Sequence, residues 1–206
     1  MIYKSLIFLC LISLNNILYS QTTTLSPWNG GLVVAGNLSN YSKEYNNAAL
    51  GFDFGGFVDY KIDEKMFLNA ELRYSNKNSF ISTTYFIYEN NQLVDSFSLR
   101  PKVTTGSLNL PLLFNYYFYK NFYVSAGPQM SFLLHSKFND KFNDKNVIYP
   151  DKNQMNDFVL YGNLGLGYKI SDQIRLNLRY EKGLSKSIQD FDKTSNAYTL
   201  NLYYSF

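Results

Sequence analysis

Cysteine is all but missing from this chain. Its one copy, Cys10, lies in an N-terminal segment that reads as a leader, so the rest of the chain can form no disulfide, offer no thiol nucleophile and build no cysteine metal site. Histidine is as scarce, with His135 alone, and the spacing of its acidic neighbours forms no metal-ligand cluster. Long apolar runs are lacking too: none after residue 20 reaches the ~20 residues that a spanning helix needs. Nor is there an excess of charge. The 19 basic and 16 acidic side chains leave a formal net charge of +3, and the basic residues are dispersed, which argues against nucleic acid as a partner. No cofactor is implied.

Aromatic residues, by contrast, are abundant, at 18% of the chain, nearly all Tyr and Phe. The last nine residues show how they are used. From Tyr198 to Phe206 the residues alternate, with Leu200, Leu202, Tyr204 and Phe206 on one face and Thr199, Asn201, Tyr203 and Ser205 on the other. An amphipathic strand that stops on a free aromatic is the form of the terminal strand of bacterial outer-membrane barrels. Tyr204 and Phe206 would then serve as the signal read by the barrel-assembly machinery.

Seven earlier segments share this period: Leu32 to Leu38, Phe52 to Ile62, Met66 to Tyr74, Ser107 to Tyr119, Phe122 to His135, Phe158 to Ile170 and Ile174 to Glu181. Most approach the ~9–11 residues of a tilted spanning strand. Short connections at 63–65, 119–121 and 171–173 alternate with long polar ones at about 39–51, 76–106, 136–157 and 182–197. The spacing predicts an all-β fold: an eight-stranded antiparallel transmembrane β-barrel with short periplasmic turns and long extracellular loops. Alternating apolar and polar residues cancel in a hydropathy average, which is why no span is visible in one.

The N-terminus fits this reading. Lys4 precedes the apolar stretch Leu6 to Leu14, and Ser20 is small enough to precede a cut. The expected organisation is a signal peptide at 1–20, which carries the chain across the inner membrane, and a barrel domain at 21–206 in the cell outer membrane. Lipid is then an expected partner.

The two faces differ in chemistry. The apolar face is aliphatic in its middle, with aromatics such as Tyr60, Phe118, Phe122, Tyr168 and Tyr204 toward the short turns and Phe52, Tyr74, Phe132, Phe158 and Tyr180 toward the long loops. Two such girdles match two lipid interfaces. The opposite face carries Asp53, Asp59, Lys61, Glu71, Arg73, Lys169, Arg175, Arg179 and Glu181. An eight-stranded barrel is just wide enough to be filled by side chains, so these nine are expected to form an ion-pair network that plugs the lumen. A selective pore is the alternative.

Two prolines, Pro111 and Pro128, fall inside strands and remove ladder donors. Pairing across the 119–121 turn sets Pro111 opposite Gln129, and the pair reads as a bulge or bend. His135 could act as a general base with Ser131, four residues along the same face, but no third orienting group can be named, and no enzymatic activity is expected. The loops are better candidates for contact. Residues 79–98 read as a hairpin presenting Tyr85, Phe86 and Tyr88, and 137–144 repeat Lys-Phe-Asn-Asp with Phe138 and Phe142. An envelope or extracellular protein is a conceivable partner for these aromatics.

The segments Leu108 to Phe118, Phe122 to Pro128, Gly162 to Tyr168 and Arg175 to Leu184 resemble the PorT-like outer-membrane β-barrel family of Bacteroidetes. The resemblance implies a small outer-membrane barrel and leaves the molecular activity open. The family's name-giving member is associated with assembly of a secretion system, which makes an envelope transport or secretion component the alternative function.

Overall fold

A computed structural model describes residues 26–40, 48–80, 83–89, 92–99, 102–139, 155–187 and 194–206, with the backbone alone at 83–89, 92–99 and 138–139. The proposed signal peptide and Phe142 lie outside the described residues. The strands are β1 (Trp28–Asn40), β2 (Ala48–Lys61), β3 (Met66–Phe80), β4 (Thr83–Glu89), β5 (Gln92–Leu99), β6 (Lys102–Tyr119), β7 (Phe122–Asn139), β8 (Phe158–Lys169), β9 (Ile174–Gly183) and β10 (Asn196–Ser205).

Eight of them close into a barrel in the order β1-β10-β9-β8-β7-β6-β3-β2, and β4 and β5 pair separately. Every barrel pairing is antiparallel. Closure joins the two ends of the chain: Leu32 faces Tyr204 and Gly36 faces Leu200. A closed sheet has no free edge, so every strand's polar groups can be met within the wall, as lipid requires.

The period of two fixes which side chains go where. Leu32, Val34, Leu164, Leu178, Leu200 and Leu202 point out and are exposed, while Asn37, Arg73, Asn109, Arg179 and Asn201 point in and are buried. This inverts the arrangement of a soluble protein, as expected where the solvent of the wall is hydrocarbon. The aromatic girdles form as ring clusters. Trp28–Tyr60 and Phe122–Tyr168 stand toward the short turns, with centroids 4.7 Å apart in each pair. Phe54–Tyr74, Phe132–Phe158 and Tyr180–Tyr198, at 5.4, 5.3 and 5.0 Å, stand toward the long loops.

Several strands outrun the sequence reading. β3 continues six residues past Tyr74, and β6 and β7 have 18 residues each, well beyond the ~9–11 that cross a bilayer. Their outer ends therefore rise past the girdle. There the outward face turns polar, with Asn76, Asn78 and Thr104, and the alternation that marks a spanning strand is lost.

The short turns are built as small polar caps. Asp63 Oδ1 accepts from the amides of Lys65 and Met66, both at 2.7 Å. Ser171 Oγ accepts from the amide of Ile174 at 3.1 Å. The 119–121 turn differs from expectation: Tyr119, not Phe118, faces Phe122, with the register shifting between Tyr117 and Tyr119. It is a two-residue turn at Lys120–Asn121 with a bulge at Phe118, and Lys120 takes a left-handed φ of 42°.

Pro111 does face Gln129, as the spacing predicted. No residue is inserted there, however. The β3–β6 ladder is simply interrupted between Ala70 and Arg73, and the β6–β7 ladder between Pro111 and Phe114, without a change of register. The prolines thus open gaps in the hydrogen bonding rather than making a bulge. Beside one gap, Gly127 lets β7 approach β6 closely: a β-carbon there would lie 2.0 Å from the carbonyl oxygen of Leu112.

Candidate functional site: a charged lumen

The lumen is filled in three layers. Nearest the short turns, Arg175 of β9 sends Nη2 to within 2.6 Å of Asp59 Oδ2 on β2. Its guanidinium lies 5.2, 4.9 and 5.1 Å from the ring centres of Phe57, Phe67 and Tyr203, so three π-faces surround the cation. Asn69 Nδ2 donates to the same carboxylate at 2.7 Å.

The middle layer centres on Glu71. Arg179 Nη2 donates to Glu71 Oε1 at 2.8 Å and the Tyr203 hydroxyl donates to the same oxygen at 2.7 Å. Arg73 Nε lies 3.0 Å from Glu71 Oε2. Arg73 then links this layer to the next, with Nη1 donating to Asn201 Oδ1 at 2.8 Å and Nη2 to Glu181 Oε1 at 3.2 Å.

In the layer nearest the long loops, Lys77 Nζ donates to Glu181 Oε2 at 2.7 Å and sits 4.5 Å from the centre of the Tyr161 ring. Asp53 accepts from Asn37 Nδ2 at 2.8 Å and from the Ser75 hydroxyl, and lies 3.6 Å from Arg73. Above Lys77, Met155 and Ser187 close the described wall, leaving a pocket of about 30 Å³, room for little more than one water.

Seven of the nine expected lumen residues meet in this network: Asp53, Asp59, Glu71, Arg73, Arg175, Arg179 and Glu181. Lys61 and Lys169 do not, and the expectation for them is corrected. Both keep the inward phase of their strands but stand at the mouth, where Lys61 is exposed. They line a polar recess of about 330 Å³ open at the short-turn end. Lys169 pairs with exposed Asp172 at 2.7 Å, and its hydrogen bond holds that carboxyl below the usual range.

The sequence reading missed Lys77, because Asn76 and Asn78 beside it broke the apolar face. The inward phase Ser75, Lys77, Ser79 was the available signal. With Lys77 in and Lys61 and Lys169 out, the buried charges are four acids, Asp53, Asp59, Glu71 and Glu181, against four bases, Arg73, Lys77, Arg175 and Arg179. The described lumen is electrically neutral, which a stack of charges removed from water demands. The neutral partners Asn37, Asn201 and Tyr203 were also missed, since polar and aromatic inward residues look alike in a strand pattern.

His135 does not meet Ser131. A register shift between Gly106 and Ser107 turns the end of β7 over, so His135 is exposed on the outer wall beside the Tyr74 ring, 6.5 Å away. Ser131 remains inside, donating to Asn109 Oδ1 at 2.7 Å. Among the described residues no group of three metal-ligating side chains occurs. Tyr204 and Phe206 point outward at the short-turn end with rings 6.1 Å apart. The 79–98 hairpin forms as β4 and β5, with Tyr85 facing Phe97 in the backbone register. The side chains of Tyr85, Phe86, Tyr88 and Phe138, like Phe142, lie outside the described residues.

With this geometry in hand, the sequence matches the outer membrane protein beta-barrel domain over residues 19–189. The chain belongs to that family. A solved structure agrees on the fold. Neisserial surface protein A (NspA) superposes with a TM-score of 0.51 at 12% identity, covering 88% of this chain and 98% of its own. Ail of Yersinia pestis, solved with the heparin analogue sucrose octasulfate, gives 0.46 at 12%, covering 87% and 97%. OprG of Pseudomonas aeruginosa gives 0.41 at 13%, covering 87% and 94%. No curated protein matches the chain. In this outer-membrane barrel the leucines and girdle aromatics are exposed on the outer wall.

Proposed function

We propose that this protein is a plugged integral outer-membrane barrel, not an enzyme, that acts as a structural or interacting element through its long loops. The observation that carries the reading is the neutral network of four acids and four bases across the lumen. An ion entering would have to displace partners that leave buried charges unpaired, at a cost of several kcal/mol. Residues 1–20 act as the signal peptide, and the even strand count sets both termini and the short turns in the periplasm. The terminal residues Tyr204 and Phe206 engage the barrel-assembly machinery.

The hairpin β4–β5 and the end of β7 then stand outside the cell. Loops on a rigid scaffold are where contacts concentrate, and an envelope or extracellular protein is the proposed partner. A photoreactive residue at Phe86 or Phe142, introduced in intact cells, should yield a discrete crosslinked species. Absence of any crosslink from both sites would reduce the role to a structural one.

The PorT-like resemblance of segments 108–128, 162–168 and 175–184 supports a second reading, a component of an envelope secretion system. The charged recess at the short-turn mouth, with Lys61, Lys120 and Lys169 at its rim, gives such a component a surface to present to periplasmic partners. Co-purification of secretion proteins with the barrel, lost on Lys61→Glu and Lys120→Glu, would favour it.

A further inference from the structure

The recess of about 330 Å³ at the short-turn mouth has a floor, a wall and two charged sides. The Arg175–Asp59 pair forms the floor. The wall is aromatic: the rings of Phe67 and Tyr117 stand 5.6 Å apart, and Tyr123 backs Tyr117 at 5.4 Å. On one side the β2–β3 turn brings Asp63 and Glu64, and on the other the β6–β7 turn brings Lys120 and Asn121. The Tyr117 amide donates to the Lys65 carbonyl at 2.8 Å. That bond sets the two turns side by side, with Tyr117 at their junction.

The charges of the rim do not all cancel in pairs. Arg175 holds Asp59 and Lys169 holds Asp172. Lys61, Lys120, Asp63 and Glu64, all exposed, form no ion pair among the described residues. Asp63 commits Oδ1 to its turn, which leaves Oδ2. The connections at this end, 62–65, 120–121 and 170–173, are all described, and residues 1–25 contain no Asp or Glu. Two ammonium groups and two carboxylates therefore line one recess without partners of their own among the described residues. A simple anion is repelled by the carboxylates and a simple cation by the lysines, whereas a group carrying both signs is attracted by both sides.

Lys120 is held there in an unfavourable backbone conformation. Its φ of 42° is one that Gly or Asn adopts more readily, and residues kept in such conformations cluster at functional sites. The Lys169 amide donates to the Asn121 carbonyl at 2.9 Å, which ties down the turn that carries it. The Lys120 ammonium lies at the rim, 5.3 Å from the centre of the Tyr119 ring, and its flexible four-carbon stem lets it turn to a ligand.

We propose that this recess binds a zwitterionic amino-acid end group, with its ammonium at Asp63 and Glu64, its carboxylate drawn to Lys61 and Lys120, and its apolar part against Phe67 and Tyr117. The volume is at the low end of the ~300–1,000 Å³ of small-ligand sites, which suits an end group and not a folded partner. Free amino acids supply this chemistry, and so do cell-wall stem peptides that carry a diamino acid with a free amino-acid end. The second source rests on the periplasmic placement of the short turns. Binding in detergent is independent of that placement and of whether the lumen conducts.

The test is isothermal titration of the folded full chain in detergent with three probes: meso-diaminopimelate, a stem tripeptide ending in it, and the same tripeptide with its amines acetylated and its carboxylates amidated. Both charged probes should bind and the blocked one should not. Tighter binding of the charged tripeptide supports the cell wall as the source, and equal binding supports free amino acids. Lys120→Gly should weaken binding by about tenfold or more while raising the unfolding midpoint, a combination that a damaged fold does not produce. Glu64→Gln should weaken it similarly, and Lys65→Gln, outside the recess, should not. Absence of binding by either charged probe, equal binding of the blocked tripeptide, or unchanged affinity in Lys120→Gly and Glu64→Gln would overturn the proposal.

Discussion

Arg179 on β9 and Glu71 on β3, 108 positions apart in the chain, meet at 2.8 Å inside the barrel. The Tyr203 hydroxyl closes the pair from a third strand, β10. This contact ties the two halves of the wall together at a level where both side chains are fully buried.

Removing one partner of such a pair leaves the other charge without compensation. Arg179→Ala is expected to destabilise the barrel by about 3–5 kcal/mol, read as a lower urea midpoint for loss of the heat-modifiable band. Glu71→Gln combined with Arg179→Met should cost less than the two single changes added together, because no charge is stranded.

Packing in the lumen should be as exacting as its charge. A β-carbon at Gly167 would fall 2.0 Å from the Tyr123 ring, whereas one at Gly36, on the outer wall, would meet nothing within 4 Å. Gly167→Ala should therefore lower stability by about 1–3 kcal/mol through overpacking. Gly36→Ala should leave it unchanged or raised, as measured by the same unfolding assay.

Lys120 bears a left-handed φ of 42°, which costs a side-chain-bearing residue roughly 1–2 kcal/mol. Lys120→Gly should recover about 1 kcal/mol and speed refolding into detergent. Lys120→Val should do the opposite, since a β-branched residue tolerates that conformation poorly.

The terminal aromatics separate assembly from stability. Phe206 is 63% exposed and its ring lies 6.1 Å from that of Tyr204. Phe206→Ala should leave refolding in detergent and the unfolding midpoint unchanged while lowering the amount of barrel assembled in cells. A matching loss in both assays would assign Phe206 to packing instead.

Most of the barrel was legible because a wall between lipid and a filled lumen imposes one rule on every strand. From Leu32 to Phe206 the alternation gave the eight strands and the sides on which Arg73, Arg179 and Glu181 fall. The rule fails where the wall leaves the lipid. Lys77 was missed because Asn76 and Asn78, above the girdle, no longer need to be apolar. Lys61 and Lys169 were misplaced because phase tells which side a residue faces, not how deep it lies. His135 was misplaced because one extra residue, Leu134, reverses phase, and the sequence around it carries no turn signal. The partners within the lumen were beyond reach, since they join strands such as β3 and β9 that are not neighbours in the wall.

A lumen filled by neutral charged layers should not conduct. The most direct measurement places the purified mature protein, verified as folded by its heat-modifiable band, in a planar bilayer under applied voltage. A quiet membrane with no single-channel steps is expected, and the same silence with Lys61→Gln and Lys169→Gln, which lie at the mouth outside the network. Regular conductance steps from the unmodified protein would contradict it and make the lumen charges a selectivity filter.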